Sequence, residues 1–365
     1  MRRIGILMLL FFCCVSTAWL WAQPQPNLKI TSFDVVGAAN GTYPYYINTL
    51  GAIIGWYTDA GNTNHGFLRA SVGKITTFDG APGALGTQAY GMNTQGVITG
   101  QWRDVNSVHH GFVRTPDGKI RTFDDPGAGT EAGQGTFGYN INDAGTITGI
   151  YKDGGSLPHV FLLAPDGKFT TFDVPGAVGG TIMPTGYGLN LLGEITGSYV
   201  TLDGVYHGFV RYPDGKYTTF DAPNAGTNGA LEEGTLAFSL NPEGEVVGLY
   251  WDEANFLHSF IRDPQGHIST FDLPGGLEGG GTWISSNNLA GAINGFYYDV
   301  NYNGHGFLGV PNNITYFDVP GDYYGTYPYG NNWAGEVMGS WYDVNGLSHG
   351  FVVIPEVRRG SGSKQ

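Results

Sequence analysis

The chain has 365 residues, a formal net charge of −14, 61 glycines, 22 tyrosines and 21 phenylalanines. The acidic balance disfavours nucleic acid and anionic lipid as partners, because their charges have the same sign. The aromatic content excludes a disordered chain, since disordered segments contain few aromatic residues.

The N-terminal segment has the pattern of a secretory signal peptide. Arg2 and Arg3 precede an apolar run over residues 4–15, and small residues continue up to Ala22. We therefore predict a signal peptide at residues 1–22, no membrane span after its cleavage, and a secreted, extracellular or periplasmic protein. Both cysteines, Cys13 and Cys14, lie in this segment. The mature chain thus contains no disulfide and depends on core packing.

A Phe-Asp pair recurs along the chain at spacings of 45 to 51 residues. The pairs begin at Phe33, Phe78, Phe123, Phe172, Phe220, Phe271 and Phe317. Each repeat contains several β-strand and turn signals, such as Asn93-Thr94-Gln95-Gly96 and Pro116-Asp117-Gly118 in the second repeat. A repeat of this length with four strands predicts a radial array of small sheets, which is a β-propeller.

The two ends of the chain complement each other. Residues 28–34 form a lone fourth strand, and residues 349–354 form a third strand without a fourth. Pairing them closes a ring and removes two exposed sheet edges. A linear solenoid of hairpins is the alternative, but it needs a cap at each end, and the sequence shows none.

The predicted fold is therefore an all-β, seven-bladed β-propeller of four-stranded antiparallel blades, with the N-terminal strand completing the C-terminal blade. A single domain covers residues 23–357, and a flexible tail covers residues 358–365. The predicted blades are residues 43–79, 88–124, 136–173, 185–221, 235–272, 282–318, and 327–355 together with 28–34.

The recurring motifs resemble those of the HAF family of bacterial extracellular repeat proteins. They are His-Gly-Phe and its variants, Asn-x-x-Gly-x-apolar-x-Gly, Pro-Asp-Gly and Thr-Phe-Asp-x-Pro-Gly-Ala, and they cover nearly all of residues 28–355. The resemblance implies a secreted, propeller-like repeat protein and brings no catalytic residues. The chain departs from the family in having Gly or Ser where the family has Ala, which is unimportant for the resemblance because all three residues are small.

Two polar residues occur once in each repeat and are interpreted as structural. The third strands carry His65, His110, His159, His207, His258, His305 and His349. Residues that repeat around a ring lie on a wide circle, so these histidines are expected to pair locally instead of converging on one metal. The aspartates of the Phe-Asp pairs are expected to accept backbone N–H groups and shape the following turn.

One connector matches the opening of a calcium-binding loop. Asp299, Asn301 and Asn303 stand at its first three ligand positions, but Val310 replaces the acid expected at the twelfth. A plain turn is the simpler interpretation, and calcium remains the weaker alternative.

Aromatic residues in the long connectors suggest a ligand-binding face. Candidate residues for stacking on sugar rings are Tyr43, Tyr45, Trp283, Tyr323, Tyr324 and Tyr327. Packing between blades is the simpler interpretation of tyrosines at strand starts. The connectors after the second and fourth strands vary most and lie on one face of the ring, where binding loops are expected.

These features favour a secreted, monomeric, non-catalytic propeller that binds a glycan, a cell-surface component or an extracellular protein through its long-loop face. One alternative is a polysaccharide hydrolase or lyase that uses two carboxylates. Its candidate acids are Glu131, Glu232, Glu233, Glu253 and Glu278. The other alternative is a structural repeat protein without a small ligand. No cofactor is predicted.

Overall fold

The regular secondary structure of the described chain is almost entirely short β-strand. A computed structural model describes residues 27–184, 187–231, 233–274 and 281–355. The predicted signal peptide and tail lie outside these ranges. A short 3-10 helix, Gly229–Leu231, follows the strands of the fourth repeat. Within the described ranges, no helix is long and apolar enough to cross a membrane.

The strands form four-stranded antiparallel sheets that recur along the chain, and we number these repeats 1 to 7. The chain starts with β1 (Leu28–Phe33). Repeat 1 consists of β2 (Thr42–Ile47), β3 (Ile53–Thr58), β4 (Asn64–Arg69) and β5 (Ile75–Phe78). Repeat 2 consists of β6 (Gly86–Met92), β7 (Ile98–Arg103), β8 (His109–Arg114) and β9 (Ile120–Phe123). Repeat 3 consists of β10 (Gly135–Ile141), β11 (Ile147–Lys152), β12 (Pro158–Leu163) and β13 (Phe169–Phe172).

The later repeats follow the same order. Repeat 4 consists of β14 (Thr181–Ile182), β15 (Ile195–Val200), β16 (Tyr206–Arg211) and β17 (Tyr217–Phe220). Repeat 5 consists of β18 (Gly234–Leu240), β19 (Val246–Trp251), β20 (Leu257–Arg262) and β21 (Ile268–Phe271). Repeat 6 consists of β22 (Thr282–Asn287), β23 (Ile293–Tyr298), β24 (Gly304–Val310) and β25 (Asn313–Phe317). Repeat 7 consists of β26 (Gly325–Asn331), β27 (Val337–Tyr342), β28 (Ser348–Pro355) and the N-terminal β1.

Asparagine and glycine build the turn between the first and second strands. In repeat 1, Oδ1 of Asn48 accepts hydrogen bonds from the backbone N–H groups of Leu50 and Ala52, each at 3.0 Å. Gly51 has a φ of 76°, a conformation that glycine adopts without steric cost. The Asn-x-x-Gly motif thus forms the turn that leads into the second strand.

Single parallel bridges join some neighbouring repeats. They link Gly135 to His109, Gly234 to Tyr206, and Gly325 to Gly304. These bridges merge repeats 2 and 3, 4 and 5, and 6 and 7 into eight-stranded sheets, whereas repeat 1 is a separate four-stranded sheet.

The core lies between consecutive repeats and contains paired phenylalanines. The fully buried Phe of each third strand is Phe67, Phe112, Phe161, Phe209, Phe260, Phe307 or Phe351. Each contacts the Phe of a Phe-Asp pair in the preceding repeat, with ring centroids 5.8–6.5 Å apart. The glycine before Phe112 is part of this packing, because a Cβ at Gly111 would overlap the ring of Phe123.

The two ends of the chain meet in repeat 7. Strand β1 pairs antiparallel with β28, from Leu28 opposite Pro355 to Phe33 opposite Gly350. Phe33 then packs on Phe67 of repeat 1, as the other Phe-Asp phenylalanines pack on their following repeats. The junction between the ends therefore repeats the contacts that join the other units.

A chain of asparagine hydrogen bonds crosses the same junction. The side-chain amide of Asn332 in repeat 7 donates to the carbonyl of Asn48 in repeat 1 at 3.2 Å. The amide of Asn48 donates to the carbonyl of Asn93 in repeat 2 at 3.4 Å. Equivalent bonds start at Asn93, Asn190, Asn241 and Asn288. These bonds tie the inner ends of the repeats to one another.

Candidate ligand-binding site

The first strands of the repeats surround a central space that has two different ends. At the Asn turns, this space is a small polar cavity of about 110 Å³ with Asn48, Asn93 and Asn142 in its wall. At the other end, where the long connectors enter the first strands, it is a larger pocket of about 400 Å³. We call the second space the aromatic pocket; it is lined by Tyr43, Pro44, Tyr45, Trp56, Pro184, Tyr187, Phe238, Trp283, Ser285, Phe296 and Tyr329.

Stacked rings form one wall of the aromatic pocket. The ring of Trp283 lies between those of Phe238 and Phe296, with centroids 5.6 and 5.5 Å away and planes only 13° apart in both pairs. Trp283 and Phe296 face each other across β22 and β23, so the antiparallel register sets their spacing. This wall offers a flat apolar surface.

A second aromatic wall comes from repeat 1. Tyr43 and Trp56 are opposite each other on β2 and β3, and their rings stack 5.8 Å apart at 18°. Tyr45 packs on the same indole with a centroid distance of 5.3 Å. A ligand in the pocket therefore has aromatic surfaces from repeats 1 and 6 available for contact.

Tyr187 forms the floor of the pocket. Its ring stacks on Tyr46 at 4.7 Å, and its hydroxyl lies 3.4 Å from the backbone nitrogen of Ile47. The same hydroxyl occupies the space next to Gly330 that a Cβ would take. Burial raises the pKa of Tyr187 well above its usual 10, so the phenol stays neutral. Because Tyr187 lines both cavities, its side chain separates the aromatic pocket from the Asn-lined cavity.

The lining of the aromatic pocket contains no charged residue among the described parts of the chain. Its polar side-chain groups are the hydroxyls of Tyr and Ser and the indole N–H groups of Trp56 and Trp283. The Tyr43 hydroxyl donates to the Asn40 carbonyl at 3.0 Å, and the Ser285 hydroxyl donates to the Pro328 carbonyl at 2.7 Å. Burial, followed by the influence of Tyr342, raises the pKa of Tyr43. The pocket is therefore suited to stacking against a neutral ligand that also makes a few hydrogen bonds.

The structure divides the aromatic residues predicted from the sequence into three groups. Tyr43, Tyr45 and Trp283 line the aromatic pocket. Tyr327 lies just behind the lining, with its ring 4.9 Å from that of Phe296. Tyr323 and Tyr324 contact each other, are 59% and 50% exposed, and are not among the lining residues.

Sequence reasoning missed the second-strand residues of the site, Trp56 and Phe296, and the floor residue Tyr187. Trp56 follows a glycine in the motif that looked uniform between repeats, so the variation at this position was the available signal. Tyr187 lies between Thr181 and Asn190 of repeat 4. These two residues are nine positions apart, whereas the equivalent Thr42 and Asn48 of repeat 1 are six apart. The three additional residues in repeat 4 were the available signal that this segment enters the pocket and forms its floor.

The candidate calcium loop forms a hydrogen-bonded turn. Oδ1 of Asp299 accepts from the backbone N–H groups of Asn301 and Asn303 at 2.8 and 2.9 Å. Oδ2 accepts from the side-chain amide of Asn301 at 3.2 Å and lies 3.6 Å from Nε2 of His305. The backbone hydrogen bond from Asn303 contributes most to lowering the pKa of Asp299 to about 2. The carboxylate therefore accepts three hydrogen bonds from its own loop and lies next to His305 of β24.

The histidine in every repeat pairs locally, as predicted. Nδ1 of each lies 2.7–3.0 Å from the aspartate of a Phe-Asp pair, and His349 of β28 uses Asp34 from the other end of the chain. Each imidazole also packs on the ring of a second-strand Tyr or Trp, with centroids 4.3–5.3 Å apart. The Phe-Asp carboxylates thus face histidines instead of shaping the turn, because the third and fourth strands place the two side chains together.

The carboxylates considered for catalysis do not line the aromatic pocket where they are described. Glu233 is only 1% exposed, and its Oε2 accepts from the backbone N–H of Asn228 at 2.8 Å, which supports its own loop. Glu131 and Glu253 are exposed in the connectors of different repeats. Glu232 and Glu278 lie outside the described residues.

No protein-family model matches the chain, and no curated protein matches it. Solved structures do match over nearly its whole length. One is a streptogramin B lyase, with a TM-score of 0.57 and 16% identity over 89% of this chain and 97% of that one. Virginiamycin B lyase from Staphylococcus aureus also has a TM-score of 0.57, with 14% identity over 90% of this chain and 99% of that one. The lectin BP39L from Burkholderia pseudomallei has a TM-score of 0.53 and 9% identity over 90% and 96%.

The chain has a β-propeller fold. At these identities the likeness concerns the arrangement of the strands and does not extend to the ligands of the matched proteins. Within this propeller, the aromatic pocket lies at the centre of the face that carries the long connectors.

Proposed function

We propose that the seven repeats form a closed, seven-bladed ring that binds a neutral glycan in the aromatic pocket. Three sets of contacts support the closed ring. They are the pairing of β1 with β28, the packing of Phe33 on Phe67, and the hydrogen bond from Asn332 to Asn48. The strand pairing completes repeat 7, and the other two contacts join repeat 7 to repeat 1. All three contacts have equivalents elsewhere in the chain.

The stacked, uncharged walls of the pocket carry the functional proposal. Sugar rings have apolar C–H faces that stack on aromatic rings, and their hydroxyls hydrogen-bond with groups such as the Ser285 hydroxyl. Trp283 and Trp56 supply these surfaces on two sides of the pocket. The match with a lectin in fold agrees with a binding role, and secretion or periplasmic location would bring the protein to cell-surface glycans.

A polysaccharide-degrading enzyme is the less favoured proposal. Glycoside hydrolysis needs two carboxylates about 5 to 10 Å apart at the bond that breaks. The described carboxylates do not supply such a pair in the pocket lining. Membership of the HAF family, a monomeric state and a weak calcium site at Asp299, Asn301 and Asn303 also remain proposals.

A glycan array with residues 23–365 tests the binding proposal. We expect saturable binding of one class of neutral glycan, and we expect Trp283→Ala to abolish or greatly weaken it. Running the array with and without calcium tests the role of Asp299. Thermal unfolding of the variant controls for loss of fold. Silence of the folded protein across the array, or full binding by the folded Trp283→Ala variant, would contradict glycan binding in the aromatic pocket.

A further inference from the structure

The asparagine hydrogen bonds between neighbouring repeats are interrupted at one position. In six repeats, the side-chain amide of the turn asparagine donates to the backbone carbonyl of its equivalent in the next repeat. Asn142 of repeat 3 is the exception. Its Oδ1 accepts from the backbone N–H of Thr146 at 3.0 Å, but its Nδ2 has no hydrogen-bond partner among the described residues. Since Asn142 is only 7% exposed, a largely buried amide keeps an open donor.

The missing acceptor lies in repeat 4, after the segment with three additional residues. By analogy with the other repeats, the Asn142 amide would donate to the backbone carbonyl of Asn190. Among the described residues, this carbonyl accepts only from the N–H of Gly193 at 3.2 Å, whereas each of the other six carbonyls accepts two hydrogen bonds. An open donor and an open acceptor therefore lie on the two sides of the same interruption.

The interruption faces the Asn-lined cavity, because Asn142 and Asn190 both belong to its wall. The Nδ2 atom of Asn142 is not among the fully enclosed unpaired polar atoms of the described chain, so it retains accessible surface. Leu191 and Trp333 also line the cavity and are 44% and 47% exposed. The cavity therefore opens to solvent at the face with the Asn turns, and a ligand can enter without passing Tyr187.

A carboxylate and a phenol add to the polar groups of this cavity. Asp143 is the only charged residue of its described lining, and Oδ1 of Asp143 accepts from the backbone N–H of Thr94 at 2.9 Å. The carboxylate has further lone pairs for other donors. Tyr46 also lines the cavity, and burial, followed by the negative charge of Asp143, raises the pKa of Tyr46 to about 12. The phenol therefore keeps its proton and can donate.

These groups suit a ligand that has neighbouring hydroxyls. A hydroxyl accepts and donates at once, so it can satisfy an open amide N–H and an open carbonyl together. An ammonium group would leave the Asn142 amide without an acceptor, and a carboxylate would be repelled by Asp143. The indole of Trp333 at the mouth offers a surface on which the C–H face of a sugar ring can stack.

We propose that the Asn-lined cavity is a second binding site, which takes neighbouring hydroxyls of a neutral sugar while the sugar ring stacks on Trp333. One hydroxyl would accept from Nδ2 of Asn142 and donate to the Asn190 carbonyl, which bridges the interruption. The next hydroxyl would donate to the Asp143 carboxylate. This site lies on the opposite side of Tyr187 from the aromatic pocket, and it does not depend on the function proposed for that pocket.

NMR saturation-transfer titrations with simple sugars test this proposal. The probes are the methyl glycosides of D-glucose, D-mannose and D-galactose, and each is titrated into the unsubstituted protein and into Trp283→Ala, which disables the aromatic pocket. We expect at least one glycoside to bind saturably to both proteins. Trp333→Ala should weaken this binding about tenfold through loss of stacking, and Asp143→Asn should weaken it by a similar factor through loss of a charge-assisted hydrogen bond. Tyr46→Phe should weaken it less, because it removes one neutral donor and keeps the ring.

Leu192→Ala is the matched control, because Leu192 is 65% exposed on the same turn face and is not part of the cavity lining. It should bind the glycoside like the unsubstituted protein. If none of the three glycosides bound to folded Trp283→Ala, the cavity would hold only water and the second site would be overturned. Binding that withstood both Trp333→Ala and Asp143→Asn would overturn it as well. Either result leaves glycan binding in the aromatic pocket to be decided by the array.

Discussion

The outer strands carry the same contacts in all seven repeats, whereas the inner strands differ from repeat to repeat at the face with the long connectors. Every repeat has a His–Asp pair at 2.7–3.0 Å between its third and fourth strands. The opposing residues of the first and second strands are Tyr43/Trp56, Gln88/Gln101, Phe137/Ile150, Ile182/Ser198, Leu236/Leu249, Trp283/Phe296 and Tyr327/Ser340.

This difference distinguishes residues that stabilise the fold from residues that are available to bind a ligand. A contact that every repeat needs to pack against its neighbour cannot vary without loss of stability. The opposing positions of the first and second strands are free to differ, and the pairs of repeats 1 and 6 line the aromatic pocket. Substitutions in the outer strands should therefore change stability, and substitutions around the central space should change binding.

The largest effect is expected from a substitution in the shared core. Phe112 is fully buried and packs on Phe78. Phe112→Ala should lower the free energy of unfolding by about 3–5 kcal/mol, because it removes a ring and leaves a cavity. Urea unfolding measures this change. Leu202→Ala is the control, since Leu202 is 86% exposed, and a loss of similar size there would contradict the assignment of the core.

Affinity should respond more than stability to Trp283→Ala. The substitution removes the central ring of the stacked wall and should weaken glycan binding by about 2 kcal/mol, roughly thirtyfold. The dissociation constant for a glycan identified on the array measures the change. If Trp283→Ala lost as much stability as Phe112→Ala and its folded fraction still bound the glycan, Trp283 would be a residue of the core and not of the binding site.

In repeat 2, the glycine of the third strand should not accept a side chain without a loss of stability, although repeats 3 and 5 have Val160 and Ser259 at this position. Gly111→Ala would drive a Cβ into the ring of Phe123 and should cost about 1–3 kcal/mol through displaced packing. Gly154→Ala is the matched control, because a Cβ there would meet no atom within 4 Å. Equal melting temperatures for the two variants would show that the ring of Phe123 moves aside freely.

The pair of His65 and Asp79 should make a small, pH-dependent contribution to stability. Burial alone would lower the pKa of His65, but hydrogen bonds and charges from Asp79 and Asp59 outweigh it and raise the pKa above 6.5. The charged form is therefore stabilised in the folded state. Its contribution is fully present below about pH 6.5 and is lost as the pH rises through the folded pKa.

An NMR titration of the His65 ring measures this shift, and Asp79→Asn should lower the pKa. Because the pair is partly exposed, we expect less than about 1 kcal/mol from it. A folded pKa below 6.5 in the unsubstituted protein would contradict the interpretation of the pair.

The smallest effect should follow Tyr324→Ala. Tyr324 is half exposed and lies outside the lining of the aromatic pocket. Glycan affinity should change by less than about 0.5 kcal/mol, as expected for a surface position. A loss equal to that of Trp283→Ala would move the binding site from the pocket to the loop that contains Tyr324.

The repeats, their strands and the pairing of β1 with β28 could be predicted from the sequence, because Phe-Asp, His-x-Phe and Asn-x-x-Gly recur with nearly constant spacing. The candidate site could be predicted only in part. Tyr43, Tyr45 and Trp283 were found because they belong to long connectors or strand starts. Trp56 was missed because its direction depends on the alternation of side chains along β3 and on its partner across the sheet.

Tyr323 and Tyr324 show the opposite limit. Their composition suggested a binding surface, but the backbone of their loop directs both rings to the solvent outside the pocket. The partner of the Phe-Asp aspartates was also assigned incorrectly. The pairing depends on the register of the third and fourth strands, which places a histidine 14 positions earlier within reach in repeat 2. Register is a tertiary property that a local motif does not contain.

The pairing of β1 with β28 has a consequence for the order of folding. Trp341 and Ser32, which are joined across this junction, are 309 positions apart in the chain. During synthesis, the edge of β1 remains unpaired until β28 has left the ribosome, because β28 is the last strand of the chain. The entropic free-energy cost of closing so long a loop is about 2 kcal/mol higher than that of closing a loop of one repeat, because the cost grows with the logarithm of loop length. The last step of folding should therefore be slow, and a chain truncated before β28 should present an open edge to other molecules.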